Sequence, residues 1–192
     1  MTIESTAPSY APLLRWIHWT TAILFIIAML IGLYCGLQSP GTSPRRELLE
    51  VHKSLGETLL FLTILRLLVR AVTKAPSMPH DSSAFVRLAA GLNHLVLYGL
   101  LVAMPVTGYL FSSAGGYRLK YFGMFDLPRL FAGNQVVAHL GEAVHGVLAW
   151  LVYATVAAHI GATFWHAVVK KDDTLARMLP PRSAAGSVND GS

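Results

Sequence analysis

Residues 144–160, VHGVLAWLVYATVAAHI, set two histidines fourteen positions apart in a stretch that carries no charged side chain. Wound as an α-helix at ~100° and ~1.5 Å per residue, His145 and His159 fall within about 40° of each other on one face and roughly 21 Å apart along the axis. Ionisable side chains in such apolar helices are costly and turn toward the bundle interior, where each needs a partner. Two further histidines stand where partners are required. His18 opens the first apolar segment, LLRWIHWTTAILFIIAML at 13–30, and His52 opens the second, ELLEVHKSLGETLLFLTIL at 47–65. If helices alternate in direction, these starts lie at opposite membrane faces, one level with each end of the His145–His159 column. Two cross-helix pairs follow, His18 with His159 and His52 with His145. Neutral imidazole is a strong axial ligand for iron, so two bis-histidine haem sites are the cofactor arrangement that fits. A structural, hydrogen-bonded role is open to any one of these residues; four at matching depths argue against it.

Composition points the same way. The chain has 192 residues, 54% hydrophobic and 13% charged, whereas a soluble domain is about a quarter charged. The expected fold is an all-α integral membrane four-helix bundle, with no room for an extramembrane catalytic domain. Fifteen Lys and Arg exceed ten Asp and Glu, but the basic residues stand at helix ends, which suits membrane orientation and excludes nucleic acid as the partner. Cys35 is the single cysteine and no CxxCH motif is present. Intrachain disulfides, cysteine zinc sites and iron-sulfur clusters are therefore excluded, and haem has to be noncovalent and b-type.

Spans are predicted near 13–36, 51–72, 87–112 and 136–168, within one transmembrane cytochrome b domain at 1–178. The tail at 179–192 is polar and reads as disordered. MTIESTAPSYAP lacks the basic region and cleavage site of a secretory signal, so the first segment is expected to remain as a span. The intervening segments 37–50, 73–86 and 113–135 are rich in turn formers, and the last, with its aromatics, reads as an amphipathic segment along the interface. Arg15, Arg66, Arg70, Lys74, Arg87, Lys170, Lys171, Arg177 and Arg182 fall on one side of the membrane. Arg45, Arg46, Lys53, Arg118, Lys120 and Arg129 fall on the other. Nine against six places both termini in the cytoplasm.

Further polar residues have two readings each. Arg66 repeats the fourteen-residue spacing from His52 and Arg15 lies one turn before His18; each is either a partner for a haem propionate or a positive-inside anchor. His94, in GLNHLVLYGLL, is either a packing residue or a proton or quinone contact. His139 lies off the His145 stripe, His166 reads as an interfacial polar residue beside Lys170, and His80 reads as a solvated loop residue. Gly56, Gly146 and Gly161 can admit a flat macrocycle or serve ordinary helix packing.

RWIHW at 15–19, VHKSLGETLLFLTILRLLVR at 51–70, LNHLVLYGLLVAMPVTGYL at 92–110, the two fourth-helix histidines and KKDDTLARMLP at 170–180 together resemble the bacterial cytochrome b561 family. The resemblance covers nearly the whole chain. It implies a four-helix dihaem protein of the bacterial inner membrane with axial ligands at His18, His52, His145 and His159. It also implies a superoxide:ubiquinone oxidoreductase, with superoxide oxidised near the periplasmic haem, electrons passed to the cytoplasmic haem and ubiquinone reduced in the bilayer. Catalytic side chains beyond the ligands are not indicated. Lys53, Arg118 and Lys120 then either steer an anion or contact lipid head groups. Two other classes of function compete with this one. One is a membrane electron conduit for a hydrogenase or dehydrogenase complex; the other is a cofactor-free transporter that uses the histidine column as a path.

Overall fold

A computed structural model describes residues 9–73 and 83–179. Four long helices account for most of these: α1 Pro12–Gly36, α2 Ser43–Val72, α3 Ala84–Ala114 and α4 Gln135–Trp165. Each starts where local chemistry allows. Pro12 opens α1, where a missing N–H costs nothing. The Ser83 hydroxyl accepts the Val86 N–H at the head of α3, and the Asn134 side chain accepts the Val137 N–H at 3.1 Å at the head of α4. The helices run alternately up and down. α1 packs on α2, α2 on α3 and α3 on α4, with both described termini at one end, where the Tyr10 N–H donates to Arg177 O at 3.2 Å. This is called the terminal end below; the opposite one, with the α1–α2 and α3–α4 connections, is the loop end.

Side chains are distributed as lipid demands. Thr63, Ser54, Ser113 and Thr21 are buried between helices, while Trp16, Phe61, Trp150 and Phe164 point outward. Lipid is as apolar as leucine, so helices gain from close contact and satisfied polar groups rather than from hiding large side chains. Gly141 shows the close contact: a Cβ there would come within 2.9 Å of the Phe111 backbone nitrogen. Ser54, Thr58 and Thr63 each donate to a carbonyl one turn back, so their hydroxyls are satisfied within α2.

Three helical stretches, Pro12–Gly36, Ala84–Ala114 and Gln135–Lys170, are long and apolar enough to cross a membrane. α2 is long enough but carries Glu57 and Arg66 within its apolar part and Arg45, Arg46, Glu47, Glu50 and Lys53 at its start. The sequence reading started the second span at 51; the helix begins at Ser43, so His52 stands well inside it. Thr42 stands at the N-cap position with its hydroxyl turned back to Ser39 O, Pro44 occupies the first turn and Ser43 Oγ bonds Glu47 Oε1 at 2.7 Å. These charged residues extend the helix beyond the apolar region, a continuation that hydropathy does not register.

The 113–135 segment, read from the sequence as an amphipathic segment along the interface, has a defined local structure. It forms a hairpin, β1 Lys120–Tyr121 against β2 Phe125–Asp126. Gly116, Gly123 and Gly133 have positive φ, as do Phe122 and Phe131, and this repeated left-handed backbone is incompatible with a helix. The hairpin docks on α2 through Ser54 Oγ, which accepts the Phe122 N–H at 2.9 Å, and through Lys53 Nζ, which donates to Arg118 O at 2.5 Å. At the terminal end α4 continues into a π-helical turn, His166–Lys170. The following segment is strapped over the start of α1 by Arg15 Nη1 donating to Leu179 O and Trp19 Nε1 donating to Met178 O, both at 2.8 Å. His80 and the tail from 180 onward lie outside the described residues.

Candidate functional site

The bundle brings the four histidines together in two pairs. His52 faces His145 at the loop end with ring centroids 6.2 Å apart, and His18 faces His159 at the terminal end at 6.4 Å. Imidazole nitrogens bind transition metals at ~2 Å, and with a ring radius of about 1.2 Å an iron held between two of them needs centroids about 6 Å apart. Both pairs meet that requirement.

At the loop end the rings are oriented by main chain. His52 Nδ1 lies 2.9 Å from Ala28 O on α1, and His145 Nδ1 lies 3.1 Å from Met104 O on α3, with Thr107 Oγ1 at 3.2 Å. Each nitrogen donates to its carbonyl, which leaves Nε2 with its lone pair available to a metal. A glycine lies four residues after each carbonyl. A Cβ at Gly32 would be 3.0 Å from His52 Cε1, and one at Gly108 would be 3.2 Å from His145 Cε1. In AMLIG and MPVTG, then, the helical carbonyl and the glycine one turn later form a matched receptor for an imidazole from the neighbouring helix. These two glycines escaped the sequence reading, which pointed to Gly56, Gly146 and Gly161. A Cβ at Gly146 or Gly161 would meet nothing within 4 Å, and one at Gly56 would only touch Pro105. The available signal was helical cost: glycine disfavours a helix interior by about 1 kcal/mol and so needs a packing reason.

The terminal-end pair is held differently. His18 Nδ1 is buried with no hydrogen-bond partner among the described residues. His159 Nδ1 lies 3.4 Å from the Asn93 side-chain amide, and the His94 ring packs edge-on against His159 with centroids 5.4 Å apart. His94 gives its own Nδ1–H to Ala90 O at 2.7 Å. Arg66 lies within electrostatic reach of both His18 and His159. It also stacks over the Tyr98 ring at 5.3 Å. With Arg70, His94, Tyr98, Tyr10, Leu14 and Met178 it lines a cavity of about 220 Å³. Arg15 Nη1 donates to Leu179 O at 2.8 Å, and Arg66 is the guanidinium whose charge reaches both rings. His139 is exposed near the start of α4, and His166 bonds Asp172 Oδ2 at 2.5 Å.

The sequence profile described as prokaryotic cytochrome b561 matches residues 9–181. The chain belongs to that family. It is 34% identical over 184 residues to cytochrome b561 homolog 2 of Escherichia coli K12, covering 96% of this chain and 98% of the relative. Cytochrome b561 homolog 1 of the same organism is 28% identical over 167 residues, 87% of this chain and 94% of the relative. A Yersinia pestis protein named probable superoxide oxidase CybB is 29% identical over 176 residues, 90% and 97% of the two chains. Membership makes this a bacterial membrane protein of electron transfer, an oxidoreductase that carries b-type haem.

Proposed function

We propose that the chain is a dihaem cytochrome that moves single electrons across the inner membrane from superoxide to ubiquinone, with both termini cytoplasmic. The observation that carries the reading is the two facing imidazole pairs, 6.2 Å and 6.4 Å between centroids, at two depths of one bundle. His52 and His145 would hold the loop-end haem, and His18 and His159 the terminal-end haem. When bound, the haems supply reversible one-electron chemistry, and noncovalent retention suits a chain whose lone cysteine, Cys35, is buried.

The protein's own groups do the rest. Ala28 and Met104 carbonyls fix the loop-end imidazoles in the metal-binding tautomer. Arg66, reaching both terminal-end histidines, would pair with a propionate carboxylate of the haem held there. At the loop end Arg118, Leu119, Asp126, Leu127 and Arg129 line a depression of about 510 Å³, and the cationic Arg118, Arg129 and Lys120 raise the local concentration of a small anion. Lys53, bonded to Glu50 and to the Arg118 carbonyl, pins the hairpin rather than facing solvent alone. The net reaction balances: two superoxide ions lose one electron each to give two molecules of oxygen, and ubiquinone takes those two electrons with two protons to give ubiquinol. The substrate pair is suggested by the relative named probable superoxide oxidase.

The test is pulse radiolysis of oxidised, haem-loaded protein in detergent. Superoxide reduces the haems, superoxide dismutase abolishes the effect, and a ubiquinone analogue reoxidises them. Haems that stay oxidised while superoxide decays at its spontaneous rate overturn the substrate reading.

A further inference from the structure

Asn93 stands one position before His94 on α3, half-buried, and was not marked by the sequence as a site residue. Its side-chain amide nitrogen, Nδ2, is 3.4 Å from His159 Nδ1. The other three inward imidazoles have no such arrangement: His52 and His145 give Nδ1 to main-chain carbonyls, and His18 Nδ1 has no partner among the described residues. We propose that Asn93 is a positioning residue that fixes the tautomer and donor strength of His159 and so sets the reduction potential of the terminal-end haem. This rests on the reading of His159 as an iron ligand.

An imidazole that gives Nε2 to iron must carry its proton on Nδ1. The structure turns the amide nitrogen toward the ring, and a half-turn of the amide about its last side-chain bond brings Oδ1 to the same place as the acceptor that a ligated His159 requires. An acceptor at the remote nitrogen fixes the ring plane and raises the basicity of the ligating nitrogen. A more basic ligand favours oxidised iron and lowers the potential, in proportion to the strength of the acceptor. α3 grips the ring from two consecutive positions, because His94 packs edge-on against it at 5.4 Å while tied to its own helix through Ala90. At the loop end the acceptors are main-chain atoms, which substitution at their own positions cannot remove. At the terminal end the acceptor is a side chain, so the potential of that haem is open to change by a single substitution.

The experiment is a redox titration, by absorbance and electron paramagnetic resonance, of full-length haem-loaded Asn93→Leu and Asn93→Asp. The terminal-end midpoint is assigned by its disappearance in His18→Ala. Asn93→Leu removes the acceptor and should move that midpoint upward; Asn93→Asp supplies a stronger acceptor and should move it downward. The loop-end midpoint should stay in place in both. An unmoved terminal-end midpoint, or equal movement of both midpoints, overturns the proposal. If the leucine variant fails to fold, the aspartate variant decides alone by the same criterion. Haem content of His159→Ala separates this from the ligand assignment: full retention there overturns the assignment, whereas loss of one haem with Asn93 variants unmoved overturns only the role of Asn93.

Discussion

The two histidine pairs have nearly equal ring separations, 6.2 Å at the loop end and 6.4 Å at the terminal end, but reach them by different means. At the loop end each imidazole is received by a backbone carbonyl and a glycine one helical turn apart, Ala28 with Gly32 and Met104 with Gly108. At the terminal end one ring leans on a side-chain amide and a neighbouring histidine, and the other has an unpartnered Nδ1 among the described residues. Main-chain receptors hold position whatever the side chains do, provided that the glycine stays. Side-chain supports are individually weaker and can be altered one at a time. The loop-end site is therefore the more rigid of the two and the terminal-end site the more tunable.

The largest effect separates the pairs outright. His52→Ala or His145→Ala should remove the loop-end haem and His18→Ala or His159→Ala the terminal-end haem, so that the haem to protein ratio falls from about two to about one in each case. A ratio near two in any of these variants breaks the pairing. Next comes the glycine receptor. Gly32→Leu and Gly108→Leu push a side chain into space occupied by His52 and His145, where even a Cβ would come within 3.0 Å and 3.2 Å. Selective loss of the loop-end haem, with the terminal-end haem retained, is the expected spectrum; equal loss of both would make the glycines general packing residues.

A smaller effect sharpens the terminal-end side. Arg66→Gln should leave haem bound but weaken its retention by roughly one to two orders of magnitude, since a charge-assisted bond to a carboxylate is worth roughly 1.5–3 kcal/mol. Haem dissociation to apomyoglobin measures this, and an unchanged rate returns Arg66 to the role of a charge anchor. The rate of haem reduction by superoxide should fall several-fold between about 10 mM and 200 mM salt if cations at the loop end steer the anion. A flat salt profile removes the steering role of Arg118, Lys120 and Arg129.

The smallest effect concerns the strap after α4. Partial burial pushes the Asp172 carboxyl upward, but hydrogen bonds from Thr174 and His166 outweigh it and hold the group below its ordinary value. Because the folded-state value is the lower one, the stabilisation is complete above the ordinary carboxylate range and is lost as pH falls through the folded-state value. Proteolysis of the C-terminal strap should accelerate in that acidic window, and Asp172→Asn should abolish the pH dependence while leaving both haems in place.

Much of this was legible in the chain itself. Long apolar segments with histidines at helical spacing made an all-α membrane bundle unavoidable, because only internally hydrogen-bonded helices or closed barrels satisfy a backbone in lipid. The placement of His18, His52, His145 and His159 at two depths required only helix rise and alternating direction. Three-dimensional packing decided the rest. Gly32 and Gly108 acquire meaning only when a histidine from another helix arrives beside them, and Asn93 only when α3 meets α4. The sequence read Arg15 as either a propionate partner or a positive-inside anchor, and only the fold shows that its Nη1 also ties down Leu179 O. The early start of α2 and the hairpin at 120–126 were hidden because hydropathy reports the solvent around a segment, whereas turn geometry and docking on α2 are fixed by backbone angles and by Ser54 and Lys53. Periodicity along one helix determines which residues point inward; only the juxtaposition of helices determines what each of them meets.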